Sequence, residues 1–318
     1  MTDTLSDAQH AAAARDTGLD VVTGAFGYSG GAIARALSES GRRVRTVTGH
    51  PERAGEAPSV EVRPLDFDDQ LGLVGSLQGA TTLYNTYWVR FARRQIDHDL
   101  AVANSTTLFH AARRAGVQRI VHISITNPST ESPFPYFRGK ALVERALAES
   151  EMSFAVLRPA ILFGGDGVLL NNIGWLLRRL PVFAVGGRGA ERIRGIHIDD
   201  LADLAVAKGS ERHDSVTDAV GPERPTFLEL VNRIREAVGS RSRIVRVPGA
   251  VIPPLSHLLG LAIGDVLLTR DEYMAMSKGL ADTDGPATGT TALSEWLDEH
   301  GAYLGLTYAN EIDRHYAR

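Results

Sequence analysis

The first half of the chain alternates short apolar runs with longer segments whose apolar residues recur at helical spacing. The short runs, which predict strands, are 19–23, 43–48, 59–67, 82–88, 119–126 and 154–162. The helical segments are 33–40, 68–77, 96–115 and 137–150. Such alternation is typical of a parallel sheet with helices on both faces. We therefore predict an α/β fold built on a doubly wound parallel sheet.

Helical patterns dominate the second half of the chain. An amphipathic helix is predicted over 169–180, and a short strand followed by a helix capped by Asp199 is predicted over 193–207. Beyond Pro225 the predicted helices are 226–238, 251–261, 267–280 and 292–304, with a loop at 281–290. For the helices 251–261 and 267–280 we favour core packing. A dimer face, a roof over a substrate site and a membrane contact are the alternatives.

This change of pattern divides the chain. It predicts an amino-terminal tail over 1–16, a first domain over 17–165 and a smaller helix-rich domain built mainly from 166–318. Segment 195–221 is expected to return to the first domain. The carboxyl-terminal residues 306–318 mix aromatic and charged side chains. We expect them to dock on the body of the protein, and contact with a partner is the alternative.

Composition excludes several classes of protein. The formal net charge of -4 argues against a nucleic-acid partner, and no apolar run reaches the roughly 18 residues of a membrane span. The first residues lack the basic-then-apolar order of a signal peptide. With no cysteine, disulfides, zinc–thiolate sites and cysteine nucleophiles are excluded. We expect a cytoplasmic protein, without a resident metal, that acts on a small-molecule substrate.

A glycine-rich turn follows the first predicted strand in VVTGAFGYSGGAIARAL, residues 21–37. Gly24 permits a tight turn, Gly27 lets the backbone approach a pyrophosphate, and Gly30 lets helix and strand pack closely. The following helix would present free N–H groups to the phosphates. The pattern thus predicts a dinucleotide-binding first domain, and a purely structural turn is the alternative.

The end of the second strand bears on the choice of nucleotide. An acidic residue there would bind the ribose hydroxyls of NAD, but the chain has Thr48, Gly49 and His50, with Arg53 nearby. These residues favour NADP, with NAD as the alternative. The competing interpretation is that His50 and Arg53 are solvated loop charges. Asp66 and Phe67, after the third strand, are expected to border the adenine, or Asp66 to cap a helix.

Tyr136 and Lys140 share one face of a predicted helix, and Ser124 ends the strand before it. Free tyrosine has a pKa of about 10, and an adjacent ammonium group would lower it, which would make Tyr136 a general acid or base. Lys140 would also hold the nicotinamide ribose, and Ser124 (with Thr126 as a second candidate) the substrate oxygen. One packed ring beside one exposed amine is the alternative.

Together these segments resemble the short-chain dehydrogenase/reductase superfamily, in its extended or atypical branch. The resemblance rests on TGAFGYSG (23–30), LDF (65–67), AGVQRIVHIS (115–124), YFRGK (136–140), LRPAILFG (157–164) and IHIDDLA (196–202). It implies a Rossmann domain that binds NAD or NADP, with Ser124, Tyr136 and Lys140 as catalytic residues and Pro159 beside the nicotinamide. It is nearest to NAD(P)H-binding relatives of an accessory subunit of respiratory complex I, some of which bind the nucleotide without known turnover.

The fourth strand departs from the family pattern at LYNTYWVRF, residues 83–91. Asn85 and Thr86 are expected to touch the ribose, and Tyr87 and Trp88 to narrow the substrate entrance or to pack at the strand end. The residues assigned to the cofactor are Gly24, Phe26, Gly27, Tyr28, Gly30, Thr48, His50, Arg53, Asp66, Phe67, Asn85, Thr86, Tyr136, Lys140 and Pro159.

These features lead to one main functional hypothesis, an NAD(P)-dependent oxidoreductase that acts on a carbonyl or hydroxyl substrate. An epimerase or dehydratase that uses transient oxidation is a close alternative. An NAD(P)H-binding sensor or assembly protein without turnover is an alternative of another class. A homodimer is compatible with the sequence.

Overall fold

A computed structural model describes residues 18–56, 59–92 and 96–312; the predicted tail 1–16 lies outside the described residues. The strands are β1 (Leu19–Thr23), β2 (Arg43–Thr48), β3 (Glu61–Pro64), β4 (Ala80–Asn85), β5 (Arg119–Ile123), β6 (Ser153–Pro159), β7 (Ile161–Phe163), β8 (Val182–Gly186), β9 (Gly195–His197), β10 (Ser215–Ala219) and β11 (Arg243–Val247). The α-helices are α1 (Tyr28–Glu39), α2 (Gln70–Leu77), α3 (His98–Arg114), α4 (Pro135–Glu149), α5 (Val168–Arg179), α6 (Ile198–Gly209), α7 (Phe227–Ala237), α8 (Ile252–Ile263), α9 (Arg270–Ser277) and α10 (Leu293–His300). Two short 3-10 helices cover Pro51–Glu56 and Gly249–Val251.

A seven-stranded parallel sheet in the order β3-β2-β1-β4-β5-β6-β10 forms the centre of the molecule. This confirms the predicted doubly wound α/β fold. The strand order reverses between β1 and β4, and the crevice at the carboxyl ends of these strands is where ligands bind in such sheets. Strand β10, from the segment 195–221, lies at the edge of this sheet beside β6.

Helices cover both faces of the sheet because each has one apolar side. On one face, Ile33 of α1 and Leu201 of α6 pack over β1 and β5. On the other face, Leu73, Phe109 and Val143 from α2, α3 and α4 pack over β1 and β4. Parallel strands that are buried on both faces consist of nearly continuous apolar residues. For this reason the sequence pattern predicts them.

The smaller part of the protein packs α5, α7 and α10 around Phe163, Leu230 and Trp296. Two parallel strand pairs, β8–β11 and β7–β9, border this cluster. The sequence patterns predict neither β8 nor β11. In their two-stranded sheet, β8 and β11 pair with each other. Their strand conformation therefore depends on a long-range contact and not on a local sequence pattern.

Two sequence expectations in this part are wrong. Helix α6 begins at Ile198 and its cap is His197, whose ring accepts the N–H of Asp199; Asp199 lies in the first turn and pairs with Arg35. Helix α8 does not pack in a core, because its buried residues are only Ser256 and Gly260. Among the described residues, no helix combines the length and the apolar character that crossing a membrane requires.

Candidate functional site

The glycine turn at the end of β1 has the backbone shape of a phosphate cradle. Gly24 has φ +64°, and its carbonyl accepts the N–H of Gly27 at 2.8 Å. A Cβ on Gly30 would lie 2.3 Å from the carbonyl oxygen of Gly24. Helix α1 therefore starts in close contact with the end of β1, and its cap, Gly27, has no side-chain hydrogen bond to the helix. Free N–H groups at such a helix start bind phosphate.

Phe26 and Tyr28 shape the sides of this turn. Arg53 lies against the Phe26 ring at 5.7 Å and donates a hydrogen bond to the Phe26 carbonyl. The Tyr28 hydroxyl donates to the carbonyl of Gly164 at 2.6 Å, which ties the turn to the loop after β7. Arg53 thus places a positive charge next to the cradle.

His50 and Thr48 have local partners at the end of β2. The His50 ring contacts the Glu52 carboxylate at 3.0 Å, and the Thr48 hydroxyl accepts the His50 N–H. Neither contact reaches the glycine turn, whereas Arg53 does. Of the basic residues after β2, Arg53 is therefore the one whose contacts reach the glycine turn.

The end of β4 is held by hydrogen bonds to β1. The Thr86 hydroxyl donates to the Thr23 carbonyl at 2.6 Å, and the Thr86 N–H donates to the Thr23 hydroxyl. Asn85 is fully buried, with its amide nitrogen 3.1 Å from the His122 ring. Burial holds the pKa of His122 well below its usual range, so this histidine is neutral. Asn85 and Thr86 thus fix the floor of the crevice at its switch point.

Asp66 and Phe67 follow β3 beside this floor. The Asp66 carboxylate accepts the N–H groups of Asp68 and Asp69, and it is Asp69 that caps α2. Phe67 packs on the Tyr87 ring at 5.0 Å, and Asn104 of α3 donates to the Tyr87 hydroxyl. Asp66 therefore shapes a turn instead of capping the helix itself.

Lys140 is buried at the base of α4. Its Nζ donates to the carbonyl of Ile123 at 2.7 Å and lies 4.6 Å from the centre of the Trp88 ring. Burial lowers the pKa of Lys140 to about 7, although Glu144 opposes the shift. Trp88 fits closely here, since a Cβ on Gly139 would lie 2.8 Å from it.

Tyr136 lies one helical turn before Lys140. Its ring packs edge-on against Trp88 and His98, both at 5.7 Å. Burial raises the pKa of Tyr136, the Glu272 carboxylate raises it further, and Arg90 opposes them. The predicted lowering of this pKa by Lys140 is wrong, because burial dominates and the positive charge that opposes it is that of Arg90. The phenol keeps its proton at neutral pH.

Ser124 follows β5 and points towards α4. Its hydroxyl donates to the Glu144 carboxylate at 2.5 Å, and Glu144 also pairs with Arg158 of β6. Pro159 ends β6, and its carbonyl accepts the N–H of Thr126. Tyr136 and Lys140 therefore contact the same Trp88 ring, whereas Ser124 contacts Glu144, one turn after Lys140 in α4.

An apolar cavity of about 1100 Å³ adjoins the Tyr136 ring. Its walls come from both parts of the protein: Ile125, Thr126, Tyr136, Ile161, Leu162, Leu169, Ile173, Val182, Ala184, Ile252, Leu255, Leu259 and Met276 are among the lining residues. Arg90 and Glu272 pair at one side of the cavity. The cavity exceeds the roughly 300–1000 Å³ of ordinary ligand pockets.

Glu144 and Arg158 are the site residues that sequence reasoning missed. Glu144 stands four residues after Lys140, a spacing that places both on one helix face and was visible in the sequence. His98 contacts Tyr136 and lines the cavity. No local signal connects His98 to Tyr136, because they come from different helices.

Comparison with known proteins places this site in a family. A model of the NAD(P)H-binding family matches residues 24–171, which include the glycine turn, Ser124, Tyr136 and Lys140. The chain is 32% identical to sterol demethylase protein B of Methylococcus capsulatus over 265 residues, which are 74% of this chain and 77% of that protein. It is 25% identical to a ceramide reductase of Caulobacter vibrioides, over 89% of this chain and 96% of that protein.

Mitochondrial relatives are also similar. The chain is 23% identical to NADH dehydrogenase [ubiquinone] 1 alpha subcomplex subunit 9 of Rattus norvegicus, over 79% of this chain and 69% of that protein. It spans 59% of the length of the NADH-ubiquinone oxidoreductase 40 kDa subunit of Neurospora crassa and 60% of the Arabidopsis thaliana subunit 9.

Solved structures share the fold. An NADPH-dependent quinone oxidoreductase of Escherichia coli, in complex with NADPH, aligns with a TM-score of 0.73 and 22% identity, over 88% of this chain and 99% of that one. The triphenylmethane reductase of Citrobacter sp., in complex with NADP(H), aligns with a TM-score of 0.69 and 22% identity, over 89% and 99%. The glycine cradle, the parallel sheet and these relatives lead to one conclusion: the chain belongs to the NAD(P)H-binding family of oxidoreductase-like proteins.

Proposed function

We propose that the protein is an NADPH-dependent reductase of the short-chain dehydrogenase/reductase type whose acceptor is a bulky apolar carbonyl compound. The observation that carries this proposal is the position of Tyr136, a protonated phenol in the wall of an apolar cavity of about 1100 Å³. A carbonyl acceptor needs a proton on oxygen as well as a hydride on carbon, and a neutral phenol supplies that proton.

The residues present fit the nucleotide. The turn Gly24–Gly30 has no room for a side chain at Gly30 and leaves N–H groups at the start of α1 for the phosphates. Arg53 supports NADPH over NADH, since its charge lies beside this turn and no acidic residue ends β2. Affinities for NADPH and NADH measured on the parent and on Arg53→Gln test this choice. Loss confined to NADPH is expected, and an equal loss for both nucleotides would contradict it.

The protein orients the reactants, donates the proton and excludes water from the reacting atoms. The nicotinamide, when bound, supplies the hydride. Tyr136 donates its proton to the acceptor oxygen as negative charge develops there. Burial raises the pKa of Tyr136 and makes it a weaker acid, so the proton moves only to the strongly basic alkoxide oxygen that hydride transfer produces. The apolar walls exclude water from the reacting carbon. Trp88 and His98 fix the orientation of the Tyr136 ring by packing on it.

The substrate class follows from the cavity. Its volume and its aliphatic lining suit a polycyclic or long-chain molecule more than a small polar one. Two relatives carry names that refer to sterol and ceramide compounds, which agrees with this class.

A second candidate is an NAD(P)H-binding protein without turnover. It is favoured by the contacts of Ser124 with Glu144 and of Lys140 with the Ile123 carbonyl, which occupy two groups of the predicted catalytic set. Similarity to complex I subunits supports it as well.

The decisive experiment measures NADPH binding and NADPH oxidation on the same preparations. Steroid ketones, long-chain ketones and quinones serve as acceptors. For Tyr136→Phe we expect unchanged NADPH affinity with at least a 100-fold loss of kcat on the ketones, which is the scale of general-acid catalysis. Tyr303→Phe is the matched control, because Tyr303 is 76% exposed. Tight NADPH binding with no oxidation by any acceptor would reject the reductase and favour the second candidate.

A further inference from the structure

Exposed apolar side chains are concentrated on one surface of the smaller part. Six of the thirteen large exposed apolar residues described lie there: Val182, Val245, Val251, Leu255, Leu258 and Leu261. Leu258 and Leu261 are 64% and 68% exposed. We call this set, together with Arg241 and Arg243, the β11–α8 surface. Contiguous apolar patches on a protein surface mark interaction sites.

Helix α8 presents these residues as one stripe. Val251, Leu255, Leu258 and Leu261 recur at intervals of three and four, so they lie on one side of the helix. The sequence of α8, IPPLSHLLGLAI, contains no lysine, arginine, aspartate or glutamate. A helix in this position would normally turn such a stripe towards a core, but here it faces outward.

Positive charge adjoins this stripe. Strand β11 leads through the 3-10 turn Gly249–Val251 directly into α8. Arg241 and Arg243 are exposed, and neither has an ion-pair partner among the residues that the structure describes. Arg243 stands beside Val182 in the β8–β11 register, so it shares a sheet face with Val182 and Val245.

The same surface reaches the cavity. Val182 and Leu255 line the cavity and are also 44% and 36% exposed, so the cavity opens between β8 and α8. Ile252 and Leu259 continue its wall inward from α8. The stripe is therefore the outer continuation of the apolar lining.

We propose that the β11–α8 surface docks on the surface of an anionic lipid bilayer. An outward apolar stripe bordered by unpaired arginines is the combination that holds an interfacial helix in a membrane surface. Charge favours this occupant over a second copy of the chain, since a two-fold contact would bring the same arginines together. If the proposed function holds, a lipid-dissolved substrate enters the cavity through this opening.

Vesicle flotation tests the proposal without nucleotide or substrate. The parent protein is expected to float with vesicles of phosphatidylcholine and phosphatidylglycerol, and weakly or not at all with phosphatidylcholine alone. The double variant Leu258→Glu/Leu261→Glu should lose flotation. Arg243→Gln should reduce partitioning about fivefold. Leu71→Glu is the matched control, because Leu71 is 73% exposed on α2, away from this surface.

Several outcomes would overturn the docking proposal. The parent protein floats with neither kind of vesicle, or it floats equally with both, or the double variant Leu258→Glu/Leu261→Glu still floats. A parent that is dimeric by light scattering, does not float, and becomes monomeric in the double variant would identify the surface as a dimer interface. Because flotation needs no turnover, failure of the reductase proposal would leave this result intact, and a parent that reduces ketones but does not float would overturn the docking alone.

Discussion

Gly30 is the residue at which the glycine turn tolerates least change. A Cβ there would lie 2.3 Å from the Gly24 carbonyl oxygen, so Gly30→Ala must push α1 away from the end of β1. We expect at least a tenfold loss of NADPH affinity, or about 1.4 kcal/mol, measured by calorimetry. Gly75→Ala is the control, because a Cβ there meets nothing within 4 Å and should leave binding intact. Equal affinity in Gly30→Ala and the parent would show that the turn does not hold the phosphates.

Lys140 gives the protein a pH-dependent stability. Its pKa falls from 10.5 to about 7 on folding, so the unfolded chain binds its proton more readily between these values. The native state therefore gains stability as pH rises through this window, and below about pH 7 the penalty is complete. Relative to Lys140→Met, the parent should gain about 2 kcal/mol between pH 7 and pH 9 in urea unfolding. If the free energies of unfolding of the two proteins changed in parallel with pH, the lowered pKa of Lys140 in the folded state would be contradicted.

At this scale the sequence identified positions better than partners. The roles of Gly24 and Gly30 depend on backbone shape, which neighbouring residues set, and the structure gives them that shape. The partner of Ser124 is Glu144, and the direction of the Tyr136 pKa depends on burial. The hydrogen-bond partner of Ser124 and the pKa shift of Tyr136 do not depend on the residues next to them in the chain. The sequence pattern therefore could not predict either of them.

At the scale of elements, Asp265 joins the end of α8 to the carboxyl-terminal segment. Its carboxylate accepts the Tyr308 hydroxyl and the N–H groups of Glu311 and Ile312. The expected docking of 306–318 is therefore seen for Tyr308–Ile312, and 313–318 lie outside the described residues. Burial alone would raise the pKa of Asp265, but these hydrogen bonds lower it.

Asp265→Ala should release this segment. Hydrogen bonds to a charged acceptor stabilise by about 1.5–3 kcal/mol each, and we expect a loss of about 3 kcal/mol in urea unfolding together with faster hydrogen exchange at Glu311 and Ile312. Because the folded pKa of Asp265 is lowered, its contribution is present above the unfolded value and is lost as pH falls through the folded one. Asp298→Ala, at an exposed position, should change neither measurement. Unaltered exchange in Asp265→Ala would mean that other contacts hold the segment.

The elements also show where periodicity succeeds. Buried strands and two-sided helices, such as β5 and α3, were predicted within a few residues because burial imposes their pattern. Strands β8 and β11 were not, because they form by pairing across about sixty residues of chain. The outward face of α8 was also missed, since an apolar stripe in the sequence does not say what it faces.

At the scale of the whole molecule, the cavity between the two parts should control the substrate independently of the cofactor. Ala184 of β8 lines the cavity, and β8 belongs to the sheet of the smaller part, not to the seven-stranded sheet that carries the glycine turn. Ala184→Trp should fill part of it and raise KM for a steroid ketone by at least tenfold, with NADPH affinity unchanged. Ala184→Ser keeps the volume and should behave as the parent. A loss of NADPH affinity in Ala184→Trp would mean that cavity and cofactor site are not separable.

The sequence alone determined the α/β sheet, the glycine cradle and the position of Tyr136 and Lys140 on one face of a helix. Each of these features depends on residues that are close together in the chain. Only the tertiary structure decided that burial raises the pKa of Tyr136, that Glu144 accepts the Ser124 hydroxyl, and that α8 shows its apolar side to the exterior beside a large cavity. Desolvation, charge pairing and cavity shape arise between distant segments, and a linear pattern contains no measure of them.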